Sequence, residues 1–376
     1  MPKPLAQDVS DCGRGRLNLI TDVPGVTVGH FTLLDGSVRT GVTVIMPHDG
    51  NAFLSKLPAA AHVINGFGKS VGLIQIDELG TLETPIALTN TLSVPAASWG
   101  LIGYMLERNP DIGDTTGTVN PVVLECNDGA VSDIRALAVM PEHVGAAIGA
   151  AGALFDEGGV GAGAGMICYG LKGGIGSASR VIHTGGEAFA IGCLVLSNFG
   201  SLPDLLVGGL AAGRILAHRE GGGNAPSGVS LEDATCGTER GSVIVVIATD
   251  IPLSDRQLKR VCKRASVGLA RTGAFIGNGS GEIALAFSTA NCVPHYSEGC
   301  FLNLRQLRDD LLDPIFRAVA SAVEEAVLSS LFHARTITDR KGRTVMCLAD
   351  AARLACSETK GGELSDLMER LGMASP

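Results

Sequence analysis

Hydrophobic and polar positions follow two periods along this chain. Short apolar or alternating runs, Val26–Phe31, Gly41–Met46 and Ile86–Asn90, are separated by Gly, Asp and Pro turns and predict strands. Pro121–Cys126 and Ile134–Val139 predict two more, joined across the turn sequence Asn127-Asp128-Gly129. Ala188–Ser197 is a continuous apolar run that ends in Asn198-Phe199-Gly200. Helices are expected at about Ala97–Arg108, at Pro141–Phe155 and at Pro203–His218. In the second of these, Val144, Ala147, Ile148, Ala151 and Leu154 fall on one face, and Pro stands at the start.

The sharpest change comes at residue 242. Gly221–Gly241 is rich in glycine and polar residues and predicts a mobile loop, because such a segment buries too little surface to order itself. The β-branched run Val243–Ile247 starts immediately after Ser242, and Ser242–Thr249 predicts a buried strand. Ser254-Asp-Arg-Gln257 has capping-box spacing, and Leu258, Val261, Cys262, Ala265 and Leu269 then form one helical stripe. Ile283–Phe287 predicts a strand. Asp313 is placed to cap a helix that opens with Pro314 and turns Ile315, Phe316, Val319, Val323, Ala326 and Val327 inward. Strands and helices occur in both halves, which fits a layered α/β fold with sheets packed together and helices outside. No internal repeat is present, and the residues after the loop read as the second half of one core.

Composition narrows the function classes. The 376 residues can bury a sizeable core, and 45% hydrophobic against 18% charged residues is a globular balance. The net charge of −9 and the 4% aromatic content argue against nucleic-acid binding. No apolar run reaches membrane-spanning length. The opening MPKPLAQDVSDCGRGR has no signal-peptide core, and ten scattered cysteines form no C-x-x-C pair. The expectation is a cytoplasmic protein with reduced, mostly buried thiols. Eight histidines without H-x-x-x-H or H-E-x-x-H spacing disfavour a zinc site. Gly158–Gly165 contains G-x-G-x-G but not G-x-G-x-x-G, and it follows a helix, so it does not predict a dinucleotide loop.

The remaining chemistry centres on Ser242. Were the chain cut before it, its hydroxyl would be the nucleophile and its new α-amine, with an ordinary pKa of about 7.7–8.0, the base, so no histidine is needed. A preceding glycine tolerates backbone angles that other residues do not. Gly-Ser recurs at five places, however, so the pair alone does not single out Ser242 from a serine that merely starts a strand. On an extended backbone Asn278, Ser280 and Glu282 share one face, placing a hydroxyl beside a carboxylate; spacing alone equally describes a turn with Glu282 in water. Asn198, ending a strand, could donate to an oxyanion or be a turn residue. Glu125, ending PVVLE, could bind a substrate ammonium or be a solvated strand-end carboxylate.

Taken together, ELGTLETPIALTNTLSV (Glu78–Val94), EGGVGAGAGMICYGLKGGIGSASR (Glu157–Arg180), LSNFG (Leu196–Gly200), RGSVIVVIATDIPL (Arg240–Leu253) and NGSGEIALAFSTAN (Asn278–Asn291) resemble the DmpA family of L-aminopeptidase/D-esterases and BapA-type β-aminopeptidases. The resemblance runs from about Asn18 to about Thr336. It implies a four-layer α/β/β/α sandwich, like N-terminal-nucleophile hydrolases in architecture but connected differently. It also implies a precursor that cuts itself between Gly241 and Ser242, giving chains 1–241 and 242–376 that assemble as homo-oligomers, commonly tetramers. By position it implies Ser242 as nucleophile, Ser280 and Glu282 as its supporting pair, Asn198 as oxyanion donor and Glu125 as holder of the substrate amine. Around Glu125 the sequence ECNDG has Asn127 where the family would place an aromatic residue, which alters the pocket. Substrates would be short peptides, amides or esters with a free amine, and no metal or organic cofactor is implied. Two other readings stand beside this one: an acyltransferase of the ornithine acetyltransferase type, whose nucleophile is threonine, and a non-catalytic α/β binding protein that stays uncleaved.

Overall fold

The apolar runs pair into two sheets. The computed structural model describes residues 12–217, 241–297, 299–358 and 362–372; the loop predicted at Gly221–Gly241 lies outside them except for Gly241. The first sheet contains β1 (Thr27–Asp35), β2 (Val38–Met46), β4 (Ile86–Asn90) and β5 (Val122–Cys126), in the order β1-β2-β4-β5. Here β3 is Ser55–Gly66, which belongs to the second sheet with β6 (Gly174–Thr184), β7 (Glu187–Asn198), β8 (Ser242–Thr249) and β9 (Gly281–Ser288). Its order is β3-β9-β8-β7-β6, with the two-residue strands Val293–Pro294 and Thr81–Leu82 both pairing with β3. β8 runs parallel to β9 and antiparallel to β7.

Alternation of side chains along each strand decides what packs where. One face of each sheet meets the other: Ile45, Leu88, Leu124 and Val122 from the first, Leu196, Ile244, Val246, Leu285 and Phe287 from the second. The outer face of the first sheet, with Val42, Val44, Ala87 and Val123, is covered by the helices Val94–Arg108 (α2) and Pro141–Gly149 (α3); the short helix Leu73–Leu79 is α1. The outer face of the second, with Val195, Val243, Val245 and Ala284, lies under later helices. These are α5 (Asp255–Cys262), α6 (Ala265–Arg271), α7 (Asp313–Phe332), α8 (Leu348–Glu358) and α9 (Gly362–Arg370), after the short α4 (Ala212–Ala217). The result is the expected α/β/β/α sandwich. β8 is buried along its whole length, and each Val or Ile in it contributes about 1.5–3 kcal/mol by leaving water. No helix among the described residues is long and apolar enough to cross a membrane.

Several expected elements differ. Ile134–Val139 is not a strand: Ile134–Ala136 is a 3₁₀ turn whose Arg135 N–H is taken by the Asp133 side chain at 3.2 Å, and Leu137 has φ 49°, which no strand accommodates. The helix from Pro141 stops at Gly149 rather than Phe155. Beyond it Gly152 exchanges backbone hydrogen bonds with Val28 of β1, at 3.1 and 3.0 Å, and Leu154 is exposed. Pro203–His218 is broken into the 3₁₀ turn Leu202–Asp204 and α4, because Gly208 and Gly209 both take positive φ; His218 is outside the described residues. The stripe from Leu258 to Leu269 is buried as expected but divides between α5 and α6. Asp313 begins α7 without a side-chain cap, while the six inward residues of that helix are all buried.

Candidate active site

Five strand ends gather at one end of the sandwich. The pairing places Ser242 opposite Asn198 on one side and Gly281 on the other, and Gly281 opposite Gly66 of β3. The end of β5 lies over these, since Cys126 Sγ reaches Leu196 O at 3.6 Å and Asn198 Nδ2 donates to Asn127 O at 3.0 Å. Of the residues singled out in the sequence, Asn198, Ser242 and Glu282 therefore come from three adjacent strands, Gly241 and Ser280 from the residues just before two of them, and Glu125 from the facing sheet.

Ser242 is buried, and its hydroxyl donates to Gly241 O at 2.6 Å. The same carbonyl accepts the Gly281 N–H at 3.0 Å. The Gly241–Ser242 peptide thus sits with its carbonyl between the serine hydroxyl and a fixed backbone donor. Only glycine fits at 241: a Cβ there would collide with Asn198 O and lie 2.8 Å from Phe199 Cα. Gly281 is constrained for a related reason, as a Cβ would lie 3.2 Å from Ser242 Oγ and 2.7 Å from Phe67 O, filling the approach to the hydroxyl.

Ser280 Oγ donates to Glu282 Oε1, and both side chains are buried. The structure decides against the solvated reading of Glu282. It also removes Asn278 from the shared face, because that residue falls in the preceding turn and is exposed. Asn65 Nδ2 secures the turn by donating to Gly277 O at 3.0 Å and to Ser280 O. Strand alternation puts Glu282 on the face of Ala284 and Ala286, and Ser242 on the face of Ile244 and Val246. Glu282 accordingly lies on the face of the sheet opposite the Ser242 hydroxyl.

Glu125 is also buried rather than solvated, at 3% exposure. Its Oε1 accepts the Lys69 N–H at 2.8 Å and its Oε2 accepts from Thr91 Oγ1. The segment Gly66–Lys69 links it to the nucleophile: Phe67 O borders Gly281, and a Cβ on Gly68 would lie 3.5 Å from Glu125 Oε1. Asn198 is not a free turn residue. Its Oδ1 accepts the Ile167 N–H at 2.9 Å, so the amide nitrogen must face the other way, toward Asn127 O.

The Gly281 N–H, Thr91, Lys69 and Ile167 escaped the reading of the sequence as contributors. Backbone donors carry no side-chain signal, and Thr91 and Ile167 lay inside stretches already noted for their resemblance without a role of their own. No cluster of three or more His, Cys, Asp or Glu suited to a metal occurs among the described residues.

Comparison with known proteins identifies the family. Peptidase family S58 matches residues 18–345. The chain is 38% identical over 350 residues to the beta-peptidyl aminopeptidase BapA of Sphingosinicella microcystinivorans, covering 90% of this chain and 87% of that one. Among solved structures it is similar to the PH0078 protein of Pyrococcus horikoshii OT3, with a TM-score of 0.85 and 48% identity over 94% of this chain and 98% of that chain. It is also similar to the L-aminopeptidase D-Ala-esterase/amidase of Ochrobactrum anthropi, described as a variant of the Ntn hydrolase fold, with a TM-score of 0.82 and 34% identity over 94% and 98% of the two chains.

Proposed function

This chain belongs to peptidase family S58 and is a serine aminopeptidase/amidase of the Ntn type, and from that premise we propose that Ser242 is its nucleophile, first in self-cleavage and then in turnover. The observation that carries the proposal is the Gly241–Ser242 peptide itself. Its carbonyl is held by Gly281 N–H at 3.0 Å while the Ser242 hydroxyl lies 2.6 Å from the carbonyl oxygen. In the first event Ser242 Oγ attacks the Gly241 carbonyl carbon, the hydroxyl proton passes to the Ser242 nitrogen as the C–N bond breaks, and water hydrolyses the resulting ester. The Gly281 N–H stabilises the oxyanion. The products are a carboxylate on Gly241 and an α-amine on Ser242.

In turnover the amine takes the hydroxyl proton as Oγ attacks the substrate carbonyl, then passes it to the leaving amine. Water releases the acyl group. Ser280 and Glu282, on the other side of the strand, act on the α-amine rather than the hydroxyl and hold its protonation state. Asn198 Nδ2 donates to the substrate oxyanion. Glu125, already holding two hydrogen bonds, receives the substrate ammonium and restricts the enzyme to short peptides, amides or esters with a free amine. The cleaved unit comprises an α chain (1–241) and a β chain (242–376), working as a homotetramer in the cytoplasm, where buried thiols such as Cys126 and Cys193 stay reduced. Support for the assembly comes from the family resemblance, and size-exclusion chromatography with light scattering tests it.

Ser242→Ala tests the assignment of the nucleophile. The expected variant is one full-length chain with no turnover of an alanyl amide; processing at residue 241 in that variant would show that another group cuts the chain.

A further inference from the structure

Lys172 is wholly buried in the glycine-rich segment that follows α3, and no carboxylate among the described residues pairs with it. Its Nζ donates to three carbonyls, Gly163 O at 2.8 Å, Met166 O at 3.1 Å and Gly173 O at 2.7 Å. Three acceptors need three N–H groups, which only the ammonium has. A buried cation without an anionic partner is costly, so a plain structural staple would be better made by a neutral side chain.

One of the three carbonyls explains the charge. Met166 C=O and Ile167 N–H belong to the same peptide unit. The ammonium holds its oxygen, and its N–H donates to Asn198 Oδ1 at 2.9 Å. Charge on one end of a peptide strengthens donation from the other, an effect of order 10–30% per bond along a chain of hydrogen bonds. The chain runs from Nζ through the Met166–Ile167 peptide into the Asn198 amide. It fixes Oδ1 inward and leaves Nδ2 to donate one hydrogen to Asn127 O at 3.0 Å and the other into the site.

We propose that Lys172 is the positioning residue of the oxyanion donor, setting the orientation and the donor strength of Asn198 through the Met166–Ile167 peptide. The proposal rests on the reading of Asn198 given above.

The test is a double-mutant cycle on the processed enzyme, with kcat and KM measured on an alanyl amide for Lys172→Met, Asn198→Ala and the pair. Lys172→Met is expected to lower kcat about 10- to 100-fold with KM within about twofold, as misplaced transition-state donors do. In the Asn198→Ala background the same change is expected to cost less than about twofold. Equal losses in both backgrounds would overturn the proposal, since Lys172 would then act on the loop alone. If Asn198→Ala by itself leaves kcat unchanged, the reading of Asn198 fails first and takes this one with it, which is a separate arm of the cycle. Should Lys172→Met not fold, the wild type and Asn198→Ala suffice. Burial pushes the Lys172 ammonium down to about 7, with Cys168, on the short strand Ile167–Cys168 paired with Leu171–Lys172, holding it up in part. Loss of that proton removes one of the three donors, so the ratio of wild-type to Asn198→Ala kcat is expected to fall as pH rises through about 7. The ratio cancels the titration of the Ser242 amine common to both, and a ratio flat in pH would overturn the proposal.

Discussion

Glu125 shows what a single position carries that its neighbours in sequence do not. PVVLE reads as a strand with a carboxylate at its end, and spacing gives no reason to bury it. The burial comes from Lys69 and Thr91, 56 and 34 residues away, which occupy both carboxylate oxygens. Glu282 was hidden in the same way, with its partner Ser280 legible by spacing but its burial set by β8 and β3 on either side. Ser242 was legible because the change from polar loop to β-branched strand marks it, although five Gly-Ser pairs compete until the resemblance selects one. If Glu125 receives the substrate ammonium, Glu125→Ala should raise KM for an alanyl amide by about tenfold or more, as loss of a charge-assisted contact does, and change kcat less. Steady-state kinetics on the processed variant checks this; an unchanged KM would place the substrate amine elsewhere.

At the scale of elements, periodicity was right where a pattern was long and wrong where backbone groups found other partners. β8 spans the run that predicts it and α2 ends at Arg108 as expected but starts at Val94, because each is an uninterrupted run with one buried face or two. The strand expected at Ile134–Val139 loses to the neighbouring Asp133 side chain, and the end of the helix expected to reach Phe155 loses to the distant β1, each of which captures an N–H group. The capping box of α5 formed as spacing predicted: Ser254 N donates to Gln257 Oε1 at 3.1 Å and Gln257 N to Ser254 Oγ at 3.4 Å. Ser254→Ala should therefore destabilise the protein by about 1 kcal/mol. Equilibrium unfolding in urea measures it, and an unchanged midpoint would mean that the contacts of Gln257 with Leu307 and Asp309 hold the helix start without the serine.

For the whole molecule, a layered α/β fold with helices outside follows from the order of elements and the four-layer sandwich from the resemblance, while the gathering of strand ends follows from neither. That gathering depends on sheet order, with β8 and β9 parallel neighbours and β5 of the facing sheet ending above them, and no local pattern encodes which strand lies beside which. Asp128, just past β5, is also fully buried, next to Thr40, Asn90 and Gly165. Its oxygens have no hydrogen bond of good geometry, Thr40 and Asn90 being bonded to each other at 2.7 Å, and burial raises its carboxyl from 3.8 to about 6 against their partial pull. A carboxyl raised in the folded state binds more protons there than when unfolded between these two values. Stability is thus lost as pH rises from about 4 to about 6 and stays lower by roughly 3 kcal/mol above that. Asp128→Asn should match the wild type in thermal unfolding near pH 4 and exceed it at pH 8. A variant less stable at pH 8 would show that the ionised carboxylate is held by something stronger.

Self-cleavage would make Ser242 the first residue of the functional enzyme's second chain. Intact-mass spectrometry of the purified protein, with N-terminal sequencing of the smaller component, tests it most directly. Two chains are expected, the smaller with 135 residues starting Ser-Val-Ile-Val. A single uncut chain that turns over an alanyl amide at full rate would contradict it.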